Sequence, residues 1–183
     1  YYFRLSGRFL SVLFPDLVLT YSFEPVSDIP ANDNFAGAIL VTDFGSIAPV
    51  DNSFASTEPG EIVPEGCNHG NRTLWWKYQP TEAGLLRVVT GAEWNTKAQA
   101  VFRGTCLANL ELIGAECSNE LQIPLSAGET YYIQVDYLYK GLVSLDASFT
   151  PAPSNDDFES SLPLSGANVE LIGNNFMASL QPG

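Results

Sequence analysis

Histidine and methionine each occur once in this chain, and cysteine three times. A single histidine leaves no H-E-x-x-H helix and no complete zinc set, and no G-x-S-x-G, dinucleotide-binding or phosphate-binding loop is present. Basic residues are also scarce, eight Lys and Arg against 21 Asp and Glu, for a formal charge of -13. A phosphate backbone is repelled by that balance, which excludes nucleic acid as a partner and disfavours docking on anionic lipid. Long apolar runs are missing as well. The most apolar stretch, residues 9–20 (FLSVLFPDLVLT), is interrupted by Pro15 and Asp16, too early to span a bilayer, and it has no small-residue cleavage pattern. It reads as two strands around a turn, so no direct membrane insertion is expected.

Turn formers, by contrast, are abundant. Twelve prolines and fifteen glycines favour many short elements, and long helical charge patterns are few, which points to an all-β chain. An acidic, lysine-poor, cysteine-sparing composition with Asn-, Gly- and Ser-rich turns fits a secreted or cell-surface protein. The first residue is Tyr1, so processing or truncation upstream is expected.

The chain also repeats itself. Residues 31–60 laid on 154–183 without a gap give eight identities: Asn32 with Asn155, Asp33 with Asp156, Phe35 with Phe158, Asn52 with Asn175, Ala55 with Ala178, Ser56 with Ser179, Pro59 with Pro182 and Gly60 with Gly183. The period is far longer than that of a solenoid. At the other end, YYFRLS from Tyr1 echoes YYIQVD from Tyr131, and LVLTYSFEP echoes LVSLDASFTP. The expected organisation is therefore the final strands of a preceding repeat over 1–25, a linker over 26–30, a complete module over 31–151 and the first part of a following repeat over 154–183. Proline-bearing linkers sit at both junctions and act as short, stiff spacers.

Within the central copy, strands are predicted at 73–79, 84–91, 99–104, 110–114, 120–125, 130–138 and 142–150. Alternation is clearest in the last two. It places Tyr131, Ile133, Val135 and Tyr137 on one face and Tyr132, Gln134 and Asp136 on the other, the pattern of an antiparallel strand with one packed and one wet side. Sheets of this kind bury one face against a second layer, so the expected fold is an antiparallel two-sheet β-sandwich in tandem repeats, with a closed barrel as the competing architecture.

Several residues carry candidate chemistry. Cys106 and Cys117 flank a ten-residue stretch between two predicted strands and are expected to form a disulfide worth about 2.5–3 kcal/mol. That leaves Cys67 unpaired, or paired with a neighbouring protein or module. His69 lies two residues on, without a third partner for catalysis or zinc, and reads as a turn residue. Asp33 is expected to cap a short helical turn that plugs one end of the sandwich with Phe35. The competing reading gives Asp28, Asn32, Asp33 and Asn34 to calcium as oxygen ligands at a module junction; calcium is the sole cofactor that the residues bring forward. In the LWWKY stretch one of Trp75 and Trp76 must face the core. Its neighbour is either a ring covered by a loop such as EPGEIVPEGCNHG or an exposed binding platform. Asn71 opens an N-R-T sequon.

Taken together, ANDNFAGAI, ASTEPGE, NRTLWWKYQPTEAGLLRV, VFRGTC with LELIGAEC, and LSAGETYYIQVD resemble a bacterial extracellular jelly-roll module similar to the pre-peptidase C-terminal domain family. The resemblance implies a jelly-roll-like sandwich without an active site, repeated in surface proteins or appended to secreted hydrolases. The expected function is that of a non-catalytic structural or adhesive module, with neighbouring modules or copies of the same protein as partners. The alternative is an accessory domain that binds a glycan or a surface protein for a secreted hydrolase. The loop carrying Cys67 departs from the family pattern.

Overall fold

The computed structural model describes residues 28–91, 97–156, 158–170, 172–173, 175 and 177–178. The strands expected over 1–25 lie outside these residues. Turn formers cut the described chain into short extended runs, of which nine pair: β1 (Ile39–Leu40), β2 (Gly45–Asp51), β3 (Thr73–Tyr78), β4 (Gly84–Thr90), β5 (Lys97–Arg103), β6 (Glu111–Glu116), β7 (Glu120–Leu125), β8 (Tyr131–Tyr137) and β9 (Leu142–Pro151). Two sheets result. One is five-stranded in the order β1-β3-β8-β5-β6, the other four-stranded in the order β2-β9-β4-β7. The two-sheet sandwich expected from alternation is therefore the fold, and the closed barrel is not.

Period-two sequence sets which side chains meet between the layers. Leu86 and Val88 of β4, Leu121, Ile123 and Leu125 of β7, and Val143 and Leu145 of β9 face Leu74 and Trp76 of β3 and Ile133 and Val135 of β8. Each large side chain so buried contributes about 1.5–3 kcal/mol. Pairing is antiparallel except between β1 and β3, which run parallel with Ile39 opposite Trp76. β1 and β2 have no counterpart among the predicted strands. β1 has only two residues, and β2 carries Pro49 and a register shift between Ile47 and Val50, which places it where proline is tolerated, at a sheet edge.

The expectation of a wet outer face fails for the five-stranded sheet. Tyr132, Gln134 and Asp136 of β8 are all buried, as are Trp75 of β3 and Ala100 and Phe102 of β5. The covering layer is drawn from the chain before β3, whose β2 joins the other sheet. Residues 30–38 bring Phe35 and Ala38 onto Trp75, Phe102 and Tyr132, and residues 52–72 follow along the same sheet. We refer to residues 30–61 as the strap.

The two halves of the sequence repeat share local structure. Backbone hydrogen bonds close turns from Asp33 to Pro30, from Ala38 to Phe35 and from Ala55 to Asn52; the same bonds run from Asp156 to Pro153, from Ser161 to Phe158 and from Ala178 to Asn175. Short 3-10 turns occupy Phe35–Gly37 and Phe158–Ser160. Every one of these pairs keeps the spacing at which the sequence repeats.

Candidate functional site

The strap is held by polar side chains that the apolar pattern does not explain. Asn32 is fully buried; its Nδ2 donates to the Trp75 carbonyl at 3.1 Å while its own carbonyl accepts from the Trp75 N–H at 2.9 Å. This extends the ladder along the edge of β3 that short β1 leaves open. Asp33 accepts from the Ser56 N–H at 2.6 Å and from the Ser56 hydroxyl at 3.1 Å, tying the two ends of the strap together. The expected helix cap is corrected accordingly: Asn34 is the N-cap of the Phe35 turn and makes no side-chain cap bond. Ser56 in turn accepts from the Thr73 hydroxyl at 2.8 Å. Asn52 locks the far side, donating to the Tyr139 carbonyl and accepting from the Gly141 N–H at 2.8 Å.

Phe35 packs edge-on against Trp75 with ring centroids 5.4 Å apart and lies 4.3 Å from the Tyr132 centroid. Next to it Glu61 accepts from the Glu58 N–H, from Trp75 Nε1 at 3.3 Å and from Gln134 Nε2 at 3.0 Å. Burial pushes the Glu61 carboxyl above its ordinary range, and these donors pull it partly back. A carboxylate that accepts three fixed donors from the sheet and its own loop holds that loop in place.

A fully enclosed carboxylate, Asp136, organises the loop that leads into β3. It accepts from the N–H groups of Gly70, Asn71 and Arg72 at 3.0–3.2 Å, and His69 Nδ1 stands 3.5 Å from its Oδ2. Gly70 passes so close to the Tyr137 carbonyl that a Cβ would collide with it, which is why a glycine occupies this point. Arg72 closes the turn by donating to the carbonyls of Gly70 and Leu138.

The expected cysteine pairing is overturned. The disulfide joins Cys67 to Cys117, with 5.3 Å between Cα atoms, and Cys106 is exposed and unpaired. The reason is strand direction. Cys106 lies in the loop between β5 and β6 and Cys117 at the far end of six-residue β6, so roughly 20 Å of strand separates them, beyond bridging reach. Cys67 is instead carried over the sheet by the covering loop. Trp75 and Trp76 are both buried, Trp76 between the layers and Trp75 beneath the strap, so neither is an exposed platform. Of the four residues assigned to calcium, Asn32 and Asp33 are turned inward onto protein partners, whereas Asp28 and Asn34 are exposed. Among the described residues no group of three or more His, Cys, Asp or Glu side chains is placed to hold a metal ion, and no helix is long and apolar enough to cross a membrane. Asn71 is exposed in a positive-φ turn at 54°.

Sequence reasoning missed a groove of about 410 Å³ at the end of the sandwich, lined by Leu40, Val41, Thr42, Phe44, Tyr78, Gln79 and Thr81, in which polar and apolar surface are evenly mixed. Phe44 is 41% exposed there, edge-on to Tyr78 at 5.0 Å and stacked on Phe149 at 6.1 Å. Two residues after Phe149 the chain leaves the sheet at Pro151. Phe44 belongs to no alternating run, and so gave no signal.

No protein-family model matches the chain, and no curated protein matches it. The resemblance to the pre-peptidase C-terminal domain thus rests on the quoted segments alone. Among solved structures, the crystal structure of Aeromonas hydrophila PliG, a periplasmic lysozyme inhibitor of g-type lysozyme, is similar at 19% identity and a TM-score of 0.42, covering 62% of this chain and 96% of that chain.

Proposed function

We propose that the chain is a non-catalytic, protein-contacting module, one jelly-roll-like unit of a repeated structural or adhesive protein that is secreted or held at the cell surface. The observation that carries this reading is the return, at one constant spacing, of the turns at Pro30, Phe35 and Asn52 in the segment that follows the sandwich. A chain that rebuilds the opening turns of a module after completing one is organised as a series. Pro151 and Pro153 between the two parts stiffen the junction.

Other features support the same reading. The Cys67–Cys117 bridge belongs to an oxidising compartment. Half-buried Glu61 and buried Asp136 accept from donors of the sheet and of its covering loop, which gives both carboxylates a structural task. The exposed groove around Leu40 and Phe44 lies where the chain departs, and there a neighbouring protein surface has apolar side chains to meet.

That groove also favours the second reading, an accessory domain that contacts a protein partner of a secreted hydrolase. Burial of both tryptophans removes the stacking platform that a carbohydrate-binding version would use. The test is the mass and sequence of the native polypeptide purified from its source. The series reading expects further sandwich units at a spacing of about 123 residues. A native polypeptide with a single sandwich beside a hydrolase domain would overturn it in favour of the accessory reading.

A further inference from the structure

Five of the eight identities between the two repeat segments fall on the residues that bind the strap to the sandwich. Asn32 bonds to both backbone groups of Trp75. Asp33 fixes Ser56, whose carbonyl takes the Thr73 hydroxyl. Phe35 fills the slot between Trp75 and Tyr132, and Asn52 bridges Tyr139 and Gly141. All five return unchanged, as Asn155, Asp156, Phe158, Asn175 and Ser179. The intervening residues drift: Glu170 stands where Ile47 does, and Pro163 where Leu40 does. Gly60, which has φ +98 and so needs glycine, is matched by Gly183.

On this chain's own sandwich the hydrogen-bonding groups of Trp75, Thr73 and Gly141 are already taken by the first strap. The second strap keeps its turns but leaves its apolar residues outside: Leu162 is 57% and Leu164 67% exposed, where Val41, the counterpart of Leu164, is 6% exposed. We infer that residues 154–183 are a second strap whose partner is another sandwich body built like residues 73–151. Such a body presents a buried-type Trp and Tyr pair on the outer face of its five-stranded sheet, an open edge on the strand equivalent to β3, and no strap of its own.

The inference rests on the series reading for its biological setting, and the two are separable by experiment. The host is the full chain with Asn32→Ala and Phe35→Ala to loosen the first strap, and Asn155→Ala and Phe158→Ala to silence its own tail. The probe is a synthetic peptide of residues 154–183. Added in excess, the peptide raises the melting midpoint of the host saturably and restores hydrogen-exchange protection at the Thr73 and Trp75 amides. A peptide carrying Asn155→Ala and Phe158→Ala does neither. Should the fourfold host fail to fold, a host with Phe35 restored gives the same comparison at a smaller amplitude.

Equal behaviour of the two peptides overturns the inference. If that happens while the native polypeptide holds several sandwich units, the docking assignment alone falls. Specific docking combined with a native polypeptide of one sandwich keeps the assignment and sinks the series.

Discussion

Lys97 lies fully buried in β5, donating to the Thr90 carbonyl at 2.7 Å and to Asn119 Oδ1 at 2.9 Å, with the Tyr137 ring centroid 5.9 Å away. Its partners are neutral dipoles, and burial lowers its pKa from 10.5 to about 8. The folded chain therefore releases this proton before the unfolded one does. Between pH 8 and 10.5 the unfolded state binds more protons, so stability should rise with pH across that window. Denaturant titrations of wild type and Lys97→Met are expected to diverge there, with wild type gaining; parallel curves would refute the burial of a charged amine. Nothing in the sequence marked Lys97, because a lysine at a strand end reads as exposed and only the tertiary fold closes over it. Trp75 and Trp76 show the opposite case: alternation placed one of them inward, and the need to cover the other was legible from the loop that precedes it, although the loop's anchors Glu61 and Asp136 were not.

At the level of elements, β3 to β9 were readable because each alternates or carries a dense apolar run, whereas β1 and β2 were hidden by their brevity and by Pro49. The disulfide was misassigned for a related reason. Closeness in sequence suggested a bridge across a hairpin, but β6 runs between Cys106 and Cys117 and carries them apart. The bridge actually formed closes a separation of 50 residues, for which chain entropy gives about 4 kcal/mol. Cys117→Ser should therefore lower stability by about 2–4 kcal/mol and the melting midpoint by on the order of 10 °C. Cys106→Ser should leave both unchanged under oxidising conditions. A reversed order of effects, measured by thermal melts of the two variants, would contradict the Cys67–Cys117 pairing.

For the whole molecule, the repeat was visible in the sequence as eight paired residues, and the fold explains why those residues are the ones kept. A strap must be recognised by the backbone and rings beneath it, and Asn32, Asp33, Phe35 and Asn52 are its points of attachment. Leu40 and Phe44 at the exit end are two neighbours in space that no periodicity connects, so the groove emerged only from the folded chain. The central claim is that one strap is closed on its sandwich and the other is waiting for a different one. Hydrogen exchange on the intact chain, followed peptide by peptide, tests this most directly. The account predicts slow exchange at Trp75, Thr73 and Gly141 beneath the first strap and exchange within seconds over 162–170; protection of 162–170 as strong as that of the first strap would mean that both belong to one sandwich, and the account would be wrong.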